Sequence, residues 1–144
     1  MKAVIQRVKH AKLTCGDFKS EINKGLVVFF DVQSEDDESK TMIMAKKISK
    51  MRIFEDENGK MNLSVTDIGG EILAVSQFTL LADCSGGNRP SFVLAERPER
   101  ADKIYQKFVA ELKELGQSVQ TGVFGGDMLI EQANDGPVTI IFEV

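Results

Sequence analysis

The chain has a single histidine, His10, two cysteines, Cys15 and Cys84, and no tryptophan among its 144 residues. With one histidine, any Ser-His-Asp or Cys-His arrangement must be built on His10. That residue lies between Lys9 and Lys12 in a polar stretch and reads as a solvated strand or loop residue, and no nucleophile-elbow motif is present. The two separated cysteines make no disulfide framework and, with one histidine, no zinc site of standard ligand spacing, so no metal and no cofactor is expected and the thiols fit a reducing compartment. The glycine pairs Gly69-Gly70, Gly86-Gly87 and Gly125-Gly126 complete neither a Walker nor a dinucleotide fingerprint and read as turn punctuation. No apolar run is long enough to span a membrane. The start Met1-Lys2-Ala3-Val4-Ile5-Gln6-Arg7 enters strand-like alternation directly, without the pattern of a secretory signal, so the expected location is the cytoplasm, with no membrane partner.

What is present fits one domain spanning residues 1–144. The length supports a continuous core, and 42% hydrophobic with 28% charged residues is ordinary for a globular chain. A net charge of −4 is awkward for a protein that binds nucleic acid through a broad basic surface, but the charges are unevenly placed. Lys2, Arg7, Lys9 and Lys12 carry the first strand region without an acid. Lys46, Lys47, Lys50 and Arg52 form a second basic group, Arg89, Arg97 and Arg100 a third, and Glu35 to Glu38 concentrate the negative charge. Most of these read as solvated faces; some could supply local phosphate contacts.

Periodicity predicts two helices. From Asp36 to about Met51, Met44, Ile48 and Met51 follow helical spacing, with the acidic stretch where a helix N-terminus favours negative charge. From Pro98 to Leu115, Ala101, Ile104, Phe108, Leu112 and Leu115 recur at three- and four-residue steps, Pro98 suiting the first turn and Gly116 the stop. Strands are expected at residues 3–9, 26–32, 71–78, 117–123, 128–132 and 138–144, with a hairpin at Asn58-Gly59 between Arg52-Ile53-Phe54 and Met61-Asn62-Leu63. The fold class that follows is α+β: a curved, barrel-like, mainly antiparallel sheet with two main helices.

Two segments stand out. The apolar run Ile72-Leu73-Ala74-Val75 ends in Ser76-Gln77-Phe78-Thr79-Leu80, three hydrogen-bonding side chains where local backbone bonding is the ordinary use. Near the C-terminus, Asn134-Asp135-Gly136-Pro137-Val138-Thr139 places a proline beside the apolar Ile140-Ile141-Phe142. One reading is a turn before the last strand; the other is a backbone device that presents carbonyls to a ligand, and an X-Pro bond is of the kind that can be held cis. Taken together, the two segments resemble the hallmarks of the D-aminoacyl-tRNA deacylase (D-tyrosyl-tRNA deacylase) family, a Ser-Gln-Phe-Thr-Leu segment and an Asn-x-Gly-Pro-Val-Thr segment. Gln6-Arg7-Val8, Arg52 to Asp56, Gly59 to Leu63, Asn88 to Phe92 and Thr121 to Gly125 are similar to family segments in the same order. The departures are Asn23 and Asp31, where glycines are expected, and Gly86, where a basic residue is common.

The resemblance implies hydrolysis of the ester joining a D-amino acid to the 3′ end of tRNA, by a homodimer of the family's barrel-like fold. The Gly136-Pro137 turn of one subunit would reach into a pocket lined by Ser76 to Leu80 of the other, with Arg7 holding the turn. Ser76, Gln77, Phe78 and Thr79 are the expected catalytic segment. The amides of Gln77 to Thr79 would serve as oxyanion donors at an unpartnered strand end, and Thr79 would position groups, since it has no visible activator. Two carbonyls turned the same way at a cis Gly136-Pro137 bond would accept the substrate's α-ammonium and crowd an L side chain, sparing L-aminoacyl-tRNA but admitting glycyl-tRNA. Phe92 is read as a stacking platform for the terminal adenine or as core, and Met128 and Phe124 as pocket lining or core. Asn134, Val138 and Thr139 complete the supporting set. A non-enzymatic RNA-binding barrel and a deacylase of relaxed specificity are the competing expectations.

Overall fold

The computed structural model describes residues 1–144 and is organised around its first strand. β1 (Lys2–Cys15) is the one strand with three partners: it pairs antiparallel with β2 (Phe18–Ile22), β3 (Gly25–Asp31) and the long β8 (Leu129–Glu143). Its apolar residues explain how it serves two faces. Ala3 and Ile5 belong to the larger buried cluster, whereas Val8, Ala11 and Leu13 belong to a smaller one. The switch in parity falls where the β1–β8 register shifts, between Val8 and His10, and one extra residue turns the following side chains to the other face.

β3 is a nearly continuous apolar run, Gly25-Leu26-Val27-Val28-Phe29-Phe30-Asp31, as a strand buried on both faces should be. Leu26, Val28 and Phe30 pack toward the helices, and Val27 and Phe29 toward the smaller cluster. β6 (Glu71–Ser76) and β7 (Ser118–Thr121) continue the sheet as parallel neighbours, in the order β2-β1-β3-β6-β7. The two ends of that order approach each other, and Ser20 Oγ in β2 donates to the Thr121 carbonyl in β7 at 2.9 Å. A nearly closed, barrel-like mixed sheet results. The two parallel pairs extend the mainly antiparallel expectation, because β3, β6 and β7 are joined by long connections rather than hairpins.

Two helices, α1 (Lys40–Ser49) and α2 (Pro98–Glu114), cover one side of the sheet. The Phe108 ring of α2 stacks on Phe30 of β3 with centroids 4.4 Å apart and planes 8° apart, and Ile104, Leu112, Met44 and Ile48 complete the contact. α2 begins at Pro98 as expected, but α1 is shorter than the range from Asp36 to Met51. Its first turn contains no acid: Asp36 accepts the Gln33 amide at 2.9 Å and Asp37 accepts the Ser39 amide at 2.9 Å, so these carboxylates close turns ahead of the helix. The Asn58-Gly59 hairpin is present between β4 (Phe54–Glu55) and β5 (Met61–Leu63), with Asp56 accepting from the Asn58 and Lys60 amides.

The segments expected as two strands at 128–132 and 138–144 are one. β8 runs through Gly136-Pro137, and between the pairs Gln6↔Thr139 and Val8↔Asn134 four residues of β8, Asp135 to Val138, stand opposite Arg7 alone. What reads in sequence as a turn before a strand is a bulge inside one. Residues 77 and 78 likewise leave the expected strand: β6 ends at Ser76, and Phe78 to Leu81 form a single turn of 3-10 helix.

Where β3 and β6 begin, at the pair Gly25↔Glu71, the neighbouring backbone leaves no room for a side chain. A Cβ on Gly25 would overlap the Glu71 backbone nitrogen, carbon and oxygen, none of which is the movable end of a side chain. Gly25→Ala is therefore expected to destabilise the fold by about 3 kcal/mol through forced displacement of the β3–β6 pair, read as a lower urea midpoint; an unchanged midpoint would refute the close approach.

Candidate active site

A cavity of about 510 Å³ opens where β3 and β6 end, between the 3-10 turn and the start of α2. Ser76, Gln77, Phe78, Phe92 and Met128 of the expected set line it, as does Phe124. Its floor is aromatic: Tyr105 is fixed by its hydroxyl donating to the Ala74 carbonyl at 2.8 Å and packs 6.1 Å from Phe124, and burial raises its phenol above the ordinary value. Phe78 and Phe92 meet edge to face at the mouth, 5.1 Å between centroids. Phe78 is 56% exposed, an unusual position for a phenylalanine at the end of a buried strand.

The backbone at this end is partly free. The Gln77 amide is taken, donating to the Phe30 carbonyl at 2.8 Å, because Gln77 continues the β3–β6 ladder one step past Ser76. This corrects the expectation that Gln77 to Thr79 all present unpartnered donors. The amides of Phe78 and Thr79 donate to no backbone carbonyl, since they open the 3-10 turn, whose first N–H groups have no partner within it. Thr79 is exposed and does not line the cavity. Its hydroxyl accepts from the Gln77 side-chain amide, which is not a base.

Arg7, Asn134, Gly136, Pro137, Val138 and Thr139 are not brought to the cavity; they form a second constellation on the β1–β8 bulge. Arg7 is 5% exposed. Its Nη1 donates to the Ile53 carbonyl at 2.7 Å and its Nε to the Asp135 carbonyl at 3.1 Å, with the Asp135 carboxylate 3.6 Å away. The planar guanidinium thereby joins the segment before β4 to the bulge, in two directions that a lysine could not serve together. The Gly136-Pro137 bond is cis, and both residues are exposed. Gly136 has φ 122°, and a Cβ there would meet Val138 and lie 3.2 Å from Arg7 Nη2. Val138 packs on the larger cluster, Thr139 Oγ1 accepts from Gln6 Nε2 at 3.2 Å, and Asn134 Oδ1 accepts from Gln132 Nε2 at 2.9 Å.

Sequence reasoning passed over Tyr105 on the cavity floor and, more consequentially, Asp31 on its wall, noting only that Asp31 departs from the expected glycine. It ends an apolar strand and is 4% exposed. Oδ1 accepts the Val32 amide at 2.7 Å, while Oδ2 is buried with no hydrogen-bond partner. Burial pushes its carboxyl up to about 6, against the opposing pull of the Val32 amide and of the N-terminal ammonium. The signal was a carboxylate at the end of a run of six apolar or glycine residues. His10 is exposed, and Cys15 and Cys84 are free thiols.

A raised carboxyl pKa means the folded state binds the proton more tightly than the unfolded one. Its ionisation therefore weakens the fold progressively between about pH 4 and 6 and by a constant amount above that. Asp31→Asn is expected to raise stability at pH 7.5 by roughly 1–3 kcal/mol, a gain that shrinks toward zero at pH 4. Paired chemical denaturation curves at the two pH values check it; equal effects at both would refute it.

The family match and the sequence relatives agree with each other. The protein family described as D-Tyr-tRNA(Tyr) deacylase matches residues 4–143. A protein of Staphylococcus carnosus named D-aminoacyl-tRNA deacylase is 51% identical over 143 residues, covering 99% of this chain and 95% of its own length. One of Clostridioides difficile with the same name is 51% identical over 144 residues, covering 99% and 97%. Among solved structures, one titled c-Myc DNA Unwinding Element Binding Protein superposes with a TM-score of 0.92 at 42% identity, over 100% of this chain and 99% of that one. A probable eukaryotic D-amino acid tRNA deacylase superposes at 0.87 over 99% and 98% and, at 15% identity, shares the fold.

Proposed function

This chain belongs to the D-Tyr-tRNA(Tyr) deacylase family and is a D-aminoacyl-tRNA deacylase, a hydrolase of the aminoacyl-tRNA ester bond, and on that premise we propose that its chemistry and its stereochemical selection reside on two separate pieces of backbone, supplied by two subunits. The observation that carries the proposal is the separation just described: the Gly136-Pro137 bulge is exposed and clamped by Arg7, yet lines no part of the cavity of its own protomer. In a homodimer the bulge of one subunit enters the cavity of the other.

The 3′ end of an aminoacyl-tRNA enters past the exposed Phe78 and the half-buried Phe92, aromatic side chains of the kind on which an unpaired base stacks, so few phosphate contacts are needed and an acidic protein can take an RNA substrate. Water attacks the ester carbonyl, assisted by the ribose 2′-hydroxyl. The Phe78 and Thr79 amides stabilise the oxyanion, each such donor being worth about 10²–10³ in rate. Collapse expels the ribose 3′-oxygen, which takes the proton that water loses. Thr79 positions groups and forms no covalent bond. The carbonyls of the partner's bulge accept from the substrate's α-ammonium and occupy the space an L side chain would need. Such a filter excludes a side chain but cannot require one, so glycyl-tRNA is cleaved as well. The reaction belongs in the cytoplasm, where aminoacyl-tRNA is used.

Purified protein given D-tyrosyl-, L-tyrosyl- and glycyl-tRNA is expected to release the D and glycyl esters and spare the L ester; equal hydrolysis of the D and L esters would remove the filter. Thr79→Ala is expected to keep at least a tenth of the rate, and total loss with folding and tRNA binding intact would point to a covalent intermediate. The trans arrangement has its own test. Gly136→Ala strains the bulge and Phe78→Ala opens the cavity, and each homodimer is expected to lose most activity. Co-expressed as a mixed dimer, the two variants leave one site with an intact cavity and an intact bulge, so activity returns; no recovery would place bulge and cavity in the same subunit.

A further inference from the structure

Three charged residues line the cavity, Asp31, Glu96 and Arg97; the proposed chemistry uses none of them, and Asp31 alone is buried. Asp31 Oδ2 is buried and unpartnered, beside the Phe30 carbonyl that fixes Gln77 and one residue from the strand end that carries Ser76 across the ladder. A carboxylate in such a place ordinarily has a cation or several donors, because an uncompensated buried charge is costly. None of the surrounding charges supplies one. Just ahead of β1, the Met1 ammonium is bound to Asp36 Oδ2 at 2.5 Å and to the Val144 carbonyl at 3.0 Å, and Lys2 at the start of β1 is paired with Glu143 at 2.9 Å. Asp36, in the turn before α1, is a second anion facing Asp31 and is occupied with that ammonium and Lys40. Across the cavity, Glu96 is paired with Arg100, Tyr105 has committed its hydroxyl to Ala74, and Arg97 at the rim makes no ion pair.

We infer that Asp31 is a substrate-contacting, specificity-determining residue that receives one N–H of the ligand's α-ammonium through Oδ2. The inference rests on the reading that the aminoacyl ester binds in this cavity with carbonyls of the partner's bulge at its amine. An ammonium has three donors and no acceptor. Two backbone carbonyls use two of them, and a group that stays charged in a water-poor cavity needs a third acceptor, preferably an anion. The half-satisfied geometry of Asp31, with Oδ1 held by Val32 and Oδ2 buried without a partner, is that of an acceptor prepared for a donor that arrives with the ligand. A role of this kind also accounts for a side chain that costs stability where the family resemblance leads one to expect glycine.

The experiment measures kcat and KM for D-tyrosyl-tRNA and for its α-hydroxy analogue, the same ester with the ammonium replaced by hydroxyl, from pH 5 to 8. Asp31→Asn and Asp31→Gly are expected to lower kcat/KM for D-tyrosyl-tRNA by roughly ten- to a hundredfold, mainly through KM, and to leave the hydroxy ester unchanged within about twofold. The wild-type profile should fall on the acid side near pH 6 with the ammonium substrate only, following the Asp31 carboxyl, and Asp31→Asn should lack that limb. Equal losses on both substrates, no loss on the ammonium substrate, or an acid limb shared by the two wild-type profiles would each overturn the assignment. The last comparison needs no variant and so does not depend on either one folding. Wild-type protein that cleaves neither D ester would instead refute the underlying placement of the ester in the cavity.

Discussion

The buried guanidinium of Arg7 is the constraint on which the arrangement of the molecule rests. It lies on β1, the strand shared by three neighbours, and opposite it the partner strand has four residues where the ladder has room for one. Such an excursion in an otherwise regular edge would be free to collapse or to wander. Arg7 prevents both, because its two hydrogen bonds run to carbonyls on different elements, Ile53 and Asp135, and charge-assisted bonds of this kind contribute about 1.5–3 kcal/mol each. The bulge is thus fixed by a side chain that itself touches no cavity. The floor of the cavity is held from another direction, by the Tyr105 hydroxyl on Ala74 and the stack of Phe108 on Phe30. Two independent scaffolds position two exposed pieces of main chain, and the sheet carries both.

Much of this was legible in the chain, and the failures have physical reasons. α2 announced itself because Pro98, Gly116 and a regular apolar stripe all agreed. α1 did not, because Asp36 and Asp37 resemble a helix N-terminus by charge while acting as turn acceptors. β8 was read as two strands because proline normally ends a ladder, and the residue that lets the strand continue, Arg7, is nearly 130 positions away in sequence. The parallel pairing of β3, β6 and β7 left no local mark, since a run buried on both faces looks alike whichever way its neighbours point. The cavity was foreshadowed by the polar ending of an apolar strand at Ser76 to Thr79. The loss of the Gln77 amide to Phe30 was hidden, because it depends on how far the ladder runs beyond the last regular residue.

Asp31 shows the opposite tension. Local consistency would place a glycine or an apolar residue at the end of β3, and the carboxylate there opposes folding at neutral pH. Stability and the chemistry of the cavity therefore pull in different directions at one position. At Phe78 the same tension takes another form, an aromatic ring kept half out of the core at the mouth of the cavity. Both residues border the same opening, and neither is explained by the packing that accounts for the rest of β3 and β6.

The distance along the chain between Arg7 and its second partner has a consequence in time. The carbonyl of Asp135 follows Arg7 by 128 residues, and at ribosomal speeds of about 5–20 residues per second that interval lasts on the order of ten seconds. Once β2 and β3 have been made, early in that interval, β1 can pair with both, while the side of β1 that will receive β8 stays open. The piece of backbone nearest the C-terminal end of the sheet is therefore the last to be ordered during synthesis, and every earlier intermediate is a sheet with its central strand unfinished on one side.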